Sequence, residues 1–319
     1  MKYNRLGSSG LKISEISIGT WMTKGIKDKE SFNEIINKSM DLGINSFDTA
    51  NVYGKGQGEA LLGNALKDKK RSDFVVSSKV FWPVGGGPND YGLSRKHIIE
   101  QCDNSLMRLG LDYIDIYYFH RFDKETPVFE SLKAMDDLIR SGKVLYCGIS
   151  EWTLEELIEA KEIIEKYHFD NIIVNQVAYN LLNRNIEKFI ATPYFEDIGV
   201  IAYSPLAQGV LTGKYNLNQE PPNKSRAAII GNSSFYWYHN RRNIEIAEKL
   251  NHLSDNIGTT NSILSLAWVL KNRSISSALI GVSNIRQLEE NVKACELNIP
   301  NDLLLELNQL SDNAMFNVK

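Results

Sequence analysis

The chain has 319 residues, 43% of them hydrophobic and 24% charged, with a formal net charge of −3. That supplies enough apolar material for a large packed core and argues against a disordered chain. A balance this close to neutral sets up no field to gather nucleic acid or an anionic membrane, so neither is expected as a partner.

The three cysteines, Cys102, Cys147 and Cys295, are widely spaced with no CxxC pair. They read as free thiols rather than a disulfide framework or a zinc site. No apolar run reaches the ~18 residues of a membrane span. Met1-Lys2-Tyr3-Asn4-Arg5 has no apolar stretch behind its charge. The expectation is a cytoplasmic protein, one domain over 1–319, with no membrane insertion.

In chain order, residues 1–15 read as a short hairpin turning at Gly7-Ser8-Ser9-Gly10. A first core strand follows at 16–19. Next comes a helix with Ser31-Phe32-Asn33-Glu34 as its capping box and Asp41-Leu42-Gly43 as its stop. Strand-like apolar runs then recur at 44–48, 74–79, 113–120, 144–150, 171–176, 199–203 and 277–281. Between most of them lie amphipathic helical segments: one opened by Ser94 and ended by Gly110, one opened by Thr126-Pro127 and ended by Ser141-Gly142, one opened by the capping box Thr153-Leu154-Glu155-Glu156. Eight strands alternating with helices at intervals of roughly 30 residues, the size of a βα unit, predict an α/β fold. The pattern fits a closed (β/α)8 TIM barrel with an N-terminal hairpin and an extra C-terminal helix near 302–310 better than an open doubly wound sheet. Two connections, 80–92 and 203–241, are too long for plain crossovers and read as lid or binding segments.

In such a barrel the loops at the carboxyl ends of the strands build the active site. The last residues of three successive predicted strands are Asp48, Lys79 and His120, and Tyr53 stands in the loop after the first. Singly, each has an ordinary explanation: a turn cap, a solvated strand end, a half-buried histidine, a packed aromatic. All four at the functional end of consecutive strands is a coincidence that packing does not predict. Together they suit proton donation to an oxygen. Lys79 as an ammonium is expected to lower the ~10 pKa of the Tyr53 phenol, Asp48 to hold Lys79 charged, and a neutral His120 to orient a carbonyl oxygen. The matching hydride must come from a cofactor. Gly54-Lys55-Gly56-Gln57-Gly58 reads as turn geometry beside Tyr53 rather than a nucleotide loop.

The run Phe47-Asp48-Thr49-Ala50-Asn51-Val52-Tyr53-Gly54, with Ser78-Lys79 and His120, resembles the catalytic tetrad of the aldo-keto reductase superfamily, NAD(P)H-dependent carbonyl reductases on a (β/α)8 barrel. The resemblance extends to Leu6-Gly7-Ser8-Ser9-Gly10-Leu11, Gly148-Ile149-Ser150, Asn175-Gln176-Val177-Ala178-Tyr179-Asn180 and the stretch 203–215. Gly92-Leu93-Ser94-Arg95 and His120-Arg121-Phe122-Asp123 resemble the branch of potassium-channel β subunits and bacterial aldehyde reductases. By that resemblance Tyr53 is the proton donor, Asp48 and Lys79 tune it, and His120 orients the carbonyl. Tyr203 would stack on the nicotinamide, and Ser150, Asn175 and Gln176 would hold its carboxamide. Ser204, Pro205, Leu206, Gln208 and Gly209, with Lys214, would line the pyrophosphate. The run from Gly281 through Ser283, Gln287, Glu290 and Asn291 would take the adenosine end, where a helix N-terminus also favours phosphate. Arg226 matches a phosphate-contacting arginine; with Lys214 and Ser283 it argues for NADPH over NADH, since a guanidinium suits a 2′-phosphate better than a bare hydroxyl. Glu151 departs from the branch, which carries a basic residue after Ser150.

Trp21, Trp82 and Tyr91 are expected to wall the substrate pocket, Trp21 also flanking the cofactor, and Phe235-Tyr236-Trp237-Tyr238 is a further aromatic candidate. The leading expectation is an NADPH-dependent reductase of a small aldehyde or ketone. A second is a channel-associated, redox-sensing subunit with slow reductase activity; a third is a barrel aldolase forming a Schiff base on Lys79. Homo-oligomers are expected by analogy with the branch.

Overall fold

The computed structural model describes residues 1–21, 28–216, 219–223, 225–230 and 238–312. Two short strands, β1 (Tyr3–Arg5) and β2 (Lys12–Ser14), pair antiparallel as the expected hairpin. Eight parallel strands follow: β3 (Ile16–Gly19), β4 (Ser46–Asp48), β5 (Val75–Val80), β6 (Ile114–Phe119), β7 (Val144–Ser150), β8 (Ile172–Ala178), β9 (Gly199–Tyr203) and β10 (Ile275–Ile280). They close in sequence order, β10 pairing with β3 through Ala278 opposite Ile16. The fold is the (β/α)8 barrel the alternation predicts, with a C-terminal helix at Asn301–Asp312.

The strands are rich in Val and Ile because both faces are covered. Inward-facing Val75, Ile116, Tyr118, Val174 and Ile201 fill the barrel with Leu6 and Ile13 of the hairpin. The outward faces pack against the helices in a second, larger core. Each buried aliphatic side chain contributes on the order of 1.5–3 kcal/mol. The hairpin thereby floors the barrel. Gly7 has φ +60, and a Cβ there would stand 2.3 Å from Asp197 O, so the turn fits against the start of β9 only without a side chain.

Helices α1 (Lys29–Asp41), α2 (Gln57–Leu66), α3 (Arg95–Leu109), α4 (Val128–Arg140) and α5 (Leu154–Tyr167) follow β3 to β7. Ser94 and Thr153 cap α3 and α5 as expected, Thr153 within a full capping box. The expected box at Ser31 is corrected. Asp28 is the N-cap of α1, and its carboxylate accepts from Ser31 N at 2.8 Å, so Ser31 already lies in the first turn. A carboxylate one turn earlier satisfies the same free amide. Outside the barrel, buried Glu59 of α2 accepts from Ser78 of β5 and, at 2.6 Å, from Arg108 of α3. This network fixes the strand that carries Lys79.

Candidate active site

The strand runs turn polar at their carboxyl ends: Asp48 on β4, Ser77 and Lys79 on β5, Ser150 on β7, Gln176 on β8. Side chains alternate across a strand, so Ser77 and Lys79 share the inner face while Ser78 points to the helices. Lys79 is fully buried and Asp48 is 3% exposed. The Lys79 ammonium donates to Asp48 Oδ1 and, at 2.8 Å, to the Thr49 carbonyl. Asp48 Oδ2 accepts from Ser77 Oγ at 2.6 Å and from Gln176 Nε2 at 2.9 Å. A buried pair of charges is tolerated when its remaining hydrogen-bonding capacity is filled in this way.

Lys79 Nζ lies 5.0 Å from the centroid of the Tyr53 ring. The Tyr53 ring meets His120 edge-on at 5.8 Å between centroids. Burial depresses the His120 imidazole well below its usual range, helped by the positive charges of Lys79 and Arg121, so the ring is neutral at physiological pH. Its Nδ1 is buried without a partner. Burial tends to discharge Lys79, but Asp48 and Tyr53 outweigh it and hold the ammonium's pKa above the usual value. An amine held charged is a poor nucleophile, which argues against the Schiff-base reading.

Tyr53 departs from expectation. Its hydroxyl is raised above the ordinary phenol value, not lowered. Desolvation by burial is the largest cause; Lys79 and Arg121 pull the value down, while the negative charge of Asp48 pushes it up. A neighbouring cation alone would lower the value, but the loss of water around a phenolate outweighs it.

These groups open into a cavity of about 660 Å³. Asp48, Tyr53, Trp82, His120, Arg121, Ser150, Gln176 and Tyr203 line the end nearest β4 to β9. Ser204, Pro205, Leu206, Gln208, Gly209 and Lys214 follow from the β9 loop. Trp21, Arg226, Gly281, Ser283, Gln287, Glu290 and Asn291 complete the far wall. Ser204, Ala207, Gln208 and Gly209 all take positive φ. Three of these carry side chains, a concentration of left-handed backbone typical of functional loops. At the far wall Asn284 caps the helix Ile285–Val292, and the Gln287 side-chain oxygen Oε1 accepts from Ser283 N at 2.9 Å and Ser283 Oγ at 3.0 Å.

Arg226 lies 4.8 Å from the Trp21 ring centroid. Burial lowers the Arg226 guanidinium to about 10, and burial with the Arg226 charge lowers Lys214. Neither cation has a carboxylate within ion-pair distance among the described residues. Exposed Lys214 and half-buried Arg226 thus put two positive charges into one cavity, a setting that favours an anion.

Several sequence candidates do not line the cavity. Asn175 alternates outward while Gln176 points in; both Asn175 amide atoms are buried without partners. Tyr91 is 41% exposed and packs on Phe81 at 4.8 Å. Of the aromatic cluster, Phe235, Tyr236 and Trp237 lie outside the described residues, and Tyr238 is buried in the core. Lys79 reaches the site only through Asp48 and Tyr53, without lining the cavity itself.

Gly19, Arg121, Thr212 and Leu279 also line the cavity, although no motif in the sequence assigns them a role. The period-two phase of β3 and β10 was the available signal for Gly19 and Leu279. Glu151, at the departing position, has φ +59 and accepts from Ala178 N at 2.6 Å; after burial, its charge is the main influence raising Tyr203.

The Aldo/keto reductase family pattern matches residues 15–312. The chain is 38% identical over 309 residues, 93% of its length and 92% of the relative's, to a protein of Arabidopsis thaliana named "Probable voltage-gated potassium channel subunit beta". A Schizosaccharomyces pombe protein named "Putative voltage-gated potassium channel subunit beta" is 39% identical, with 91% and 87% covered. The "L-glyceraldehyde 3-phosphate reductase" of Escherichia coli (strain K12) is 37% identical, with 92% and 87% covered. With a closed barrel and a pattern match spanning nearly its whole length, the chain belongs to the aldo/keto reductase family.

Proposed function

We infer that this oxidoreductase reduces the carbonyl of a small aldehyde or ketone with NADPH, Tyr53 donating the proton. The observation that carries the reading is the set of buried Asp48, Lys79 and His120 with half-buried Tyr53, opening into a cavity where Lys214 of the β9 loop and Arg226 of the far wall have no carboxylate within ion-pair distance among the described residues. The residues present fit a phosphorylated dinucleotide: exposed Lys214 and half-buried Arg226 line one cavity with no carboxylate within ion-pair distance among the described residues, a setting that favours an anion, and the helix start at Ser283 to Gln287 faces the same space. Lys214, Arg226 and Ser283 would hold its phosphates; Ser150, Gln176 and Tyr203 would face its nicotinamide. The chemistry a nicotinamide supplies when bound is hydride donation to the carbonyl carbon.

The chain's own part is the proton. Burial keeps Tyr53 protonated, so its hydroxyl releases a proton only to an oxygen that is gaining negative charge. Lys79 then faces the phenolate that remains, and Asp48 keeps Lys79 charged. Neutral His120 can donate a hydrogen bond to the same oxygen without competing as an acid. The NADPH preference rests on Arg226 and Lys214.

The test is Tyr53→Phe. NADPH should still quench tryptophan fluorescence, while turnover of small aldehydes falls by roughly 100- to 10,000-fold. Undiminished turnover would refute the assignment. A second reading, a channel-associated redox sensor, draws on the names of the plant and fission-yeast relatives. It requires a membrane partner that co-purifies with the protein and slow turnover of every aldehyde tried.

A further inference from the structure

Arg121 follows His120 directly and lines the same cavity as Tyr53. Its guanidinium stands 5.8 Å from the Trp82 ring centroid, and Trp82 in turn meets His120 edge-on at 6.3 Å. The side chain is anchored through one nitrogen only: Nη1 donates to the His120 carbonyl at 2.5 Å and to Ser150 Oγ at 3.2 Å. Both acceptors are neutral. No carboxylate of a described residue lies within ion-pair distance of it. Nε and Nη2, the adjacent donors that form the side edge of the guanidinium fork, have no partner among the described residues and are not shut away as buried unpaired atoms.

A half-buried cation, anchored at one corner and open along its two-donor edge, matches the geometry of a carboxylate or a phosphate. The other unpaired cations of the cavity, Lys214 and Arg226, line it with the β9 loop and the far wall and are accounted for by the cofactor. Arg121 stands instead beside the residue that orients the reacting carbonyl. We propose that Arg121 is a specificity residue: the substrate is an anionic aldehyde or ketone whose carboxylate or phosphate docks on its Nε and Nη2, a short carbon chain from the carbonyl at Tyr53 and His120. The inference rests on the reductase reading above.

The test compares charged and neutral members of two pairs, with NADPH as reductant. Glyceraldehyde 3-phosphate against glyceraldehyde probes a phosphate, and succinic semialdehyde against butanal probes a carboxylate. In at least one pair the wild-type protein should favour the anion in kcat/KM by roughly 10- to 100-fold, a preference that collapses toward parity in Arg121→Gln and survives in part in Arg121→Lys. The responding pair identifies the anion. A non-kinetic reading uses protein saturated with NADP+, where calorimetry should detect glycerol 3-phosphate or succinate, matching the favoured pair, binding to wild type and more weakly to Arg121→Gln. That comparison stands on the wild type and Arg121→Lys if Arg121→Gln does not fold. No anion preference in the wild type, or an equal preference in wild type and Arg121→Gln, overturns the proposal while leaving the reductase reading intact. Failure to reduce any of the four aldehydes, with no NADP+ binding, defeats the reductase reading itself.

Discussion

Gln176 reaches across the barrel mouth to Asp48, its amide nitrogen 2.9 Å from Oδ2, the carboxylate oxygen that Lys79 leaves free. Sequence resemblance casts Gln176 as a holder of the nicotinamide carboxamide. In the fold its N–H is committed to the carboxylate, and with Ser77 it completes a cage of donors around a buried anion. The Asp48 charge is thus balanced by Lys79 and solvated by Gln176 and Ser77.

Asp48→Asn removes the charge that keeps Lys79 protonated. Burial then acts on Lys79 with less opposition, and its pKa falls from above its ordinary value. Because the wild-type values of both Lys79 and Tyr53 are raised, the alkaline limb of kcat/KM should lie above pH ~10 in the wild type and move to lower pH in Asp48→Asn. The rate at neutral pH should drop by roughly 10- to 1,000-fold. An alkaline limb that stays in place would show that Asp48 does not act through Lys79.

His120 is neutral because it is buried beside two cations. No limb of the rate profile should therefore appear near pH 6.5. The sign for stability follows from the unfolded chain: below pH ~6.5 it takes up a proton that the folded site refuses, so stability is complete above that pH and declines as pH falls. For one such group the slope is at most about 1.4 kcal/mol per pH unit. His97, also lowered by burial, adds a contribution of the same sign. Urea midpoints between pH 7.5 and 5 should fall less in His120→Asn than in the wild type; equal losses would contradict the assignment.

Arg226 stacks on Trp21 and has no carboxylate within ion-pair distance among the described residues. Arg226→Gln should weaken NADPH binding by about tenfold or more while changing NADH binding little, because only the former carries the 2′-phosphate. Titration of tryptophan fluorescence measures both. Equal weakening for the two nucleotides would move the arginine to the shared pyrophosphate.

Gly7 permits the hairpin to seat beneath the barrel. Gly7→Ala combines a left-handed backbone with a Cβ only 2.3 Å from Asp197 O, and the contact atom is main chain that cannot step aside. The expected loss is on the order of 2–4 kcal/mol in chemical denaturation. A change below about 0.5 kcal/mol, the range of a neutral surface substitution, would mean that the hairpin is not tightly seated.

Much of this was legible along the chain because it is local. Alternating apolar runs and helical periods specify the eight βα units, Ser94 and Thr153 announce their helices, and Asp48, Lys79 and His120 mark the strand ends as the polar residues that close apolar runs. Strand order and closure follow from that alternation with little freedom, since parallel crossovers are short and right-handed. What the tertiary structure decided depends on burial and side-chain phase. It put Gln176 inside and Asn175 outside, adjacent residues that no composition distinguishes. It raised the Tyr53 pKa where a count of neighbouring charges pointed downward, because water removed from around a phenolate weighs more than one nearby ammonium. It also left Arg121 anchored at one corner with its fork open beside His120, since the pairing of a guanidinium depends on which carboxylates the rest of the chain brings within reach.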